Sequence, residues 1–235
     1  MAESSLTLLG DKFNTDREYV KKLIAQDASG GWNESWKQGV TPWDSGDVQL
    51  SLQGLLLSAS LDLPREGRAL VPGCGRGYDA LLIASKLGLD TLGLDISPVG
   101  VQAARDQLNS APEGLLSGIE KVSYEATDFF TFKVPDDQKF SLIYDYTFFV
   151  AIPPERRNEW GCQMCALIKP GGYLITLVFP LGLPLEGYVG PPFHVDPEDY
   201  IEPLGQGWEK VYDKVPEIVR EGRKGTERMV VWRRI

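Results

Sequence analysis

The sequence predicts an α/β fold: a doubly wound, mostly parallel seven-stranded sheet with a helical N-terminal cover. Three observations carry this expectation. From Arg68 onward, short apolar runs alternate with stretches of helical period, the pattern of a parallel sheet covered by helices. The first run passes directly into a glycine-rich loop, Val71-Pro-Gly-Cys-Gly-Arg-Gly77. The last two runs, Trp208–Lys214 and Glu227–Trp232, look like a closing antiparallel pair.

The elements follow in order. Asp16–Gln26 and Gln49–Ser60 have helical period, and a Gly- and Trp-rich segment, residues 30–43, lies between them. Arg68–Val71 is a first strand and Tyr78–Leu87 a helix. Thr91–Leu94 is a second strand. Pro98–Leu108 is a helix, with Ser97 as N-cap and Pro98 in its first turn. Val122–Glu125 and Phe140–Tyr144 are the third and fourth strands, and Pro154–Ile168 a helix. Lys169-Pro-Gly-Gly172 reads as a turn before a fifth strand, Tyr173–Phe179, and Pro197–Leu204 as a short helix. The 235 residues are read as one domain, with residues 1–65 as cover and residues 66–235 as sheet core.

Composition excludes several function classes. Asp and Glu number 33 against 24 Lys and Arg, a formal net charge of −9. A chain this acidic, with no basic stripe, is a poor partner for nucleic acid or anionic lipid. Its only histidine is His194. A Ser-His-Asp triad or Cys-His pair would have to use that residue, a multi-histidine metal site is impossible, and no metal is expected. Three cysteines (Cys74, Cys162, Cys165) cannot build a disulfide framework. Cys162 and Cys165 have CxxC spacing on a helix without a redox-strand context, and are expected to be buried structural thiols. Met1–Ser5 lack a basic start before an apolar core, and no apolar run reaches the roughly 18 residues of a membrane span. A cytoplasmic monomer is expected.

In a doubly wound sheet, ligands bind beyond the carboxyl ends of the strands. The glycine loop stands at such an end, and so does Asp95, 20 residues after Gly75, with Ile96 beside it. That is the spacing at which an acid meets a ribose diol. Two cofactor classes fit, dinucleotides and S-adenosylmethionine. Read from Gly73, the dinucleotide pattern fails at Tyr78; read from Gly75, a looser form survives through Gly77 and Ala80. Gly73, Gly75 and Gly77 also give G-x-G-x-G, which suits a cofactor without pyrophosphate. At the third strand's end, Asp128 is placed to accept from an adenine amino group and Phe129 to pack on the ring. With Lys169–Gly172 before the fifth strand, the four features together favour S-adenosylmethionine.

These motifs sit among others: Trp32 and Trp36, Thr41-Pro-Trp-Asp44, Leu70–Gly75, Gly93-Leu-Asp-Ile-Ser97, Phe140–Tyr146, Leu174-Ile-Thr176 and Gly190-Pro-Pro-Phe193. Over residues 30–195 the chain resembles the thiopurine S-methyltransferase-like family of class I methyltransferases, especially its plant halide/thiol branch and fungal relatives that methylate both thiols of reduced gliotoxin. The resemblance implies cofactor contacts at Trp32, Trp36, Trp43, Gly73, Asp95, Asp128, Phe129 and the Tyr144-Asp145 segment. Indoles suit this role, because they attract a cationic sulfonium and donate N–H bonds.

The expected reaction is methylation of a small-molecule thiol. Halide or hydrosulfide methylation and non-catalytic cofactor binding are the alternatives; a dinucleotide oxidoreductase is disfavoured by the tryptophans and by Asp128-Phe129. A thiol with pKa of about 8.5 is partly ionised near neutral pH, so a base is helpful but not obligatory. Asp145, Tyr146 and His194 are the candidates to deprotonate or orient it. Asp145 is better suited to hold the methionine amino group. The apolar stretches 146–152 and 179–193, with Phe148 and Phe193, suggest a greasy substrate pocket under a shaped loop. Arg156, with Arg157 adjoining it, matches an arginine the family holds near substrate.

Overall fold

The computed structural model describes residues 2–58, 60–110, 118–183 and 189–235. Seven strands form one sheet: β1 (Arg68–Pro72), β2 (Asp90–Asp95), β3 (Val122–Ala126), β4 (Phe140–Tyr146), β5 (Ile168–Val178), β6 (Trp208–Lys214) and β7 (Arg228–Arg234), in spatial order β3-β2-β1-β4-β5-β7-β6. β1 to β5 are mutually parallel; β7 runs antiparallel to both β5 and β6. β1, β2 and β4 are apolar and buried almost throughout, as a sheet covered on both faces requires. The edge strands β3 and β6 are far more exposed.

Among the described residues, seven α-helices accompany the sheet: α1 (Ala2–Gln26), α2 (Gly30–Lys37), α3 (Leu50–Leu57), α4 (Tyr78–Leu87), α5 (Pro98–Asn109), α6 (Arg157–Leu167) and α7 (Ile201–Leu204). α3, α4 and α5 pack with Leu142, Tyr144 and Ile175 on one face. α6 and α7 pack with Ile143, Phe149 and Leu174 on the other. Ser97 caps α5, its Oγ accepting from Gly100 N at 3.0 Å and donating to Asn33 Oδ1 at 2.8 Å. That second bond ties α2 to α5.

Three elements differ from the sequence expectation. The Gly-Trp segment contains a helix, α2, because glycine permits a close helix contact there. A Cβ at Gly31 would lie 2.7 Å from the Leu23 backbone of α1. The expected turn at Lys169–Gly172 is an irregularity inside β5: Phe140 pairs with Ile168 and Leu142 already with Tyr173. Gly171, at φ 76°, absorbs the extra residues. Cys162 is exposed and Cys165 half-buried, so Cys162 is not the core thiol expected; all three cysteines are free. The helix expected over Gln49–Ser60 runs over Leu50–Leu57, and Ala59 within that stretch lies outside the described residues.

Candidate active site

Strand order reverses between β1 and β4, and the carboxyl ends of β1, β2 and β4 open there into one cavity of about 450 Å³. The sequence sets up this opening locally. After β1 the chain turns through Gly73, Gly75 and Gly77, each at positive φ (59°, 53° and 77°), a region glycine enters without steric cost. Tyr124 of β3 fills the space beneath: its hydroxyl donates to Gly77 O at 3.0 Å, and a Cβ at Gly77 or Gly93 would lie 2.2 Å or 2.5 Å from Tyr124 atoms. Above the loop, a Cβ at Gly73 would meet Phe148 at 2.6 Å.

Asp95 ends β2. Its carboxylate accepts from Gly75 N (3.1 Å) and Ser97 N (2.9 Å), binding the glycine loop to the N-terminus of α5. Burial raises its pKa, opposed by the backbone donors of Ser97, Gly75 and Ile96. Asp128 and Phe129 line the same end of the cavity. Asp128 Oδ1 also accepts from Phe130 N at 2.9 Å, a turn-forming bond. Trp32, Trp36 and Trp43 form the facing wall; Trp43 sits edge-on to both others, with centroids 5.2 and 6.1 Å away. A cradle of glycine backbone, a buried acid at a strand end and an aromatic wall fits an adenosyl cofactor.

The outer half of the cavity is apolar and cationic. Tyr146, Thr147, Phe148 and Val150 come from the end of β4 and the turn after it; Phe179, Pro180 and Pro191 face them. Arg17, Arg156 and Arg223 bring positive charge. Arg156 lies 4.0 Å from the Phe130 ring centre and pairs with Glu159, whereas Arg157 turns inward to His194 O (2.6 Å). This separates the two adjoining arginines: only Arg156 faces the cavity.

Five expected site residues stand elsewhere. Side chains alternate along a strand, so Tyr144 and Tyr146 face α4 while Asp145 faces α6. The Asp145 carboxylate is buried, accepting from Trp160 Nε1 (2.8 Å) and Phe149 N (3.1 Å). Burial pushes it up to about 6. It does not line the cavity. His194 is also off the wall, bonded through Nδ1 to Leu183 O (2.7 Å) and through Nε2 to Asp196 (3.1 Å). Phe193 is likewise absent from the wall, Pro191 and Pro192 taking that place. Tyr144 and Gly75 line a smaller adjoining pocket instead. Residues 184–188 of the expected covering loop lie outside the described residues. Replacing His194 with alanine is therefore expected to leave turnover within about tenfold in steady-state assays; a loss of about 10³ would identify it as a base.

Sequence reasoning missed Thr147 and Arg223. Thr147 holds φ at 59°, a left-handed conformation that costs a β-branched residue free energy and often marks a functional turn. Arg223, from the β6–β7 connection, donates to the Tyr146 hydroxyl, pairs with Glu227 (3.3 Å) and lies 4.2 Å from the Phe179 ring centre. Burial pushes Tyr146 up to about 12, although Arg223 opposes the shift. Tyr146 is thus a neutral phenol at physiological pH.

Fold and site define a class I, S-adenosylmethionine-dependent methyltransferase. The glycopeptide N-methyltransferase MtfA, solved with (S)-adenosyl-L-methionine, shares the fold: TM-score 0.60 at 14% identity, over 82% of this chain and 96% of that one. Residues 27–233 match the thiopurine S-methyltransferase (TPMT) family. The chain is 38% identical to a probable thiol methyltransferase 2 of Arabidopsis thaliana (94% of this chain, 92% of the relative). It is 35% identical to thiocyanate methyltransferase 1 of Brassica oleracea (96% and 94%). The chain belongs to the thiopurine S-methyltransferase family.

Proposed function

We propose that the protein transfers a methyl group from S-adenosylmethionine to the thiolate of a small organic molecule. The observation that carries this reading is the pairing of Arg223 with Tyr146 at the outer end of a cavity whose inner end holds Asp95. When bound, the cofactor supplies a methyl group on a positively charged sulfur. Asp95 accepts from the ribose hydroxyls, Asp128 and Phe129 hold the adenine, and Gly73 leaves room for the cofactor's chain. Trp32, Trp36 and Trp43 exclude water and face the sulfonium. Tyr146 and Arg223 donate to the nucleophilic sulfur and favour its ionised form. The thiol proton leaves to solvent, so no side-chain base is required. Phe148, Phe179 and Arg156 bound the substrate.

The same donors suit a small inorganic anion, such as a halide, hydrosulfide or thiocyanate. This second reading is supported by the three arginines of the outer half. Within the thiol class, the apolar outer wall supports a compact hydrophobic thiol. Both thiols of a reduced epidithiodioxopiperazine, such as dithiol gliotoxin, are the finer form of this reading. A panel of aromatic thiols, dithiol gliotoxin, hydrosulfide, thiocyanate and iodide with S-adenosylmethionine, read by mass spectrometry, tests all of these. Methylation of at least one organic thiol is expected. Methylation of inorganic anions alone would replace the thiol reading.

A further inference from the structure

Glu227 ends the β6–β7 connection, and its side chain is only 2% exposed. A carboxylate taken out of water costs free energy unless it is paired and hydrogen-bonded. Here both oxygens are engaged. Oε1 pairs with Arg223 Nη1 at 3.3 Å, and Oε2 accepts from the Ser51 hydroxyl of α3, itself buried. Glu227 does not line the cavity and reaches it through Arg223. Arg223 also meets the Tyr146 hydroxyl, Gln49 Oε1 (3.5 Å) and the Phe179 ring. Among these partners only Glu227 is a carboxylate.

The effect extends to where a nucleophile would sit. At the Tyr146 hydroxyl, burial raises the pKa most, Arg223 favours the ionised form, and Glu227 and Asp79 disfavour it. A sulfur held at that hydroxyl meets the same opposed charges. The other charged and titratable groups around the pair are Tyr144 beside Tyr146, Asp79 of α4 with Arg220 facing it, and Arg17 and Arg156 on the cavity wall. Arg156 is paired with Glu159.

We propose that Glu227 is a positioning residue that holds Arg223 against Tyr146 and offsets its charge, so that the site favours a thiol arriving neutral over an anion already charged in water. The proposal rests on the thiol-methylation reading and names what sets nucleophile preference within it. Alone, Arg223 would attract any anion. Paired, it presents directed N–H donors with little net charge. The thiol enters with its proton, ionises against Tyr146 and Arg223, and releases the proton to solvent. Ser51 fixes the far oxygen of the carboxylate, so the N-terminal cover takes part in aiming the arginine.

Two variants separate charge from position. Glu227→Gln removes the charge and keeps an acceptor for Arg223; its amide can donate to Ser51 Oγ, whose own hydrogen then serves Ile218 O at 3.2 Å. Glu227→Asp keeps the charge and shortens the reach. Both are assayed with thiophenol as substrate and iodide as inhibitor, at saturating S-adenosylmethionine. In Glu227→Gln the pH of half-maximal kcat should fall by about one unit, because a charge that disfavoured the bound thiolate is gone. Iodide should inhibit about tenfold more tightly for the same reason. A site that had merely lost its structure would not bind an anion more tightly. Glu227→Asp should hold the half-maximal pH within about 0.3 units and iodide inhibition within about twofold, while kcat falls about tenfold through misplacement of Arg223.

An unchanged half-maximal pH with unchanged or weaker iodide inhibition in Glu227→Gln would overturn the proposal. If that variant does not fold, Glu227→Asp carries the test: unchanged kcat, or a half-maximal pH moved by a full unit, would overturn it. Wild type that methylates no organic thiol would instead refute the thiol reading itself.

Discussion

Replacing Asp95 with alanine is expected to abolish measurable binding of S-adenosylmethionine in isothermal calorimetry, a loss of about a thousandfold or more. The size follows from two effects. The ribose hydroxyls lose a charged acceptor, worth about 1.5–3 kcal/mol for each hydrogen bond. The donors Gly75 N and Ser97 N lose the carboxylate that binds the glycine loop to α5. Asp95→Asn keeps one acceptor and should fall between alanine and wild type. Micromolar affinity retained by Asp95→Ala would mean that the cofactor lies elsewhere in the cavity.

Arg223→Met is expected to lower kcat/KM for organic thiols about a hundredfold, with a rise of about one unit in the pH at which the rate is half-maximal. The guanidinium stands at the Tyr146 hydroxyl, where a thiolate would be held. Removing it takes away a cation that favours the ionised nucleophile; one pKa unit corresponds to about 1.4 kcal/mol. Thiocyanate and iodide stay ionised throughout this pH range, so their rates should fall without the pH shift, which separates nucleophile ionisation from simple binding. The carboxylate of Glu227 is buried and also receives the Ser51 hydroxyl, so methionine leaves a buried charge without its partner. Arg223→Lys controls for this and should recover part of the rate. Unchanged kcat/KM in Arg223→Met would remove the arginine from the site.

What the sequence made legible was local. The glycine loop, Asp95 and the Ser97 cap are each defined within a few residues by turn chemistry and strand ends, and all three stand where expected. The doubly wound sheet followed from alternation of period alone. Asp145 was misplaced because a strand end does not reveal which face of the pleat a residue takes. Trp160, 15 residues on, fixes that orientation from α6. Arg223 left no signature because its partner Tyr146 lies 77 residues away in the chain. Thr147 is invisible for another reason: its left-handed backbone sits where glycine or asparagine would ordinarily announce one. The helix α2 was hidden by two glycines that read as breakers but serve a close helix crossing.

Tyr124 has a consequence for redesign. Its ring occupies the space that side chains on Gly77 and Gly93 would need, and its hydroxyl holds the loop's last carbonyl. The three positions therefore vary as one unit, although they belong to a loop and two different strands. A library that randomises the glycines alone samples only clashes with this ring. Widening the cradle for bulkier cofactor analogues begins with a smaller side chain on β3, and only then gains freedom in the loop.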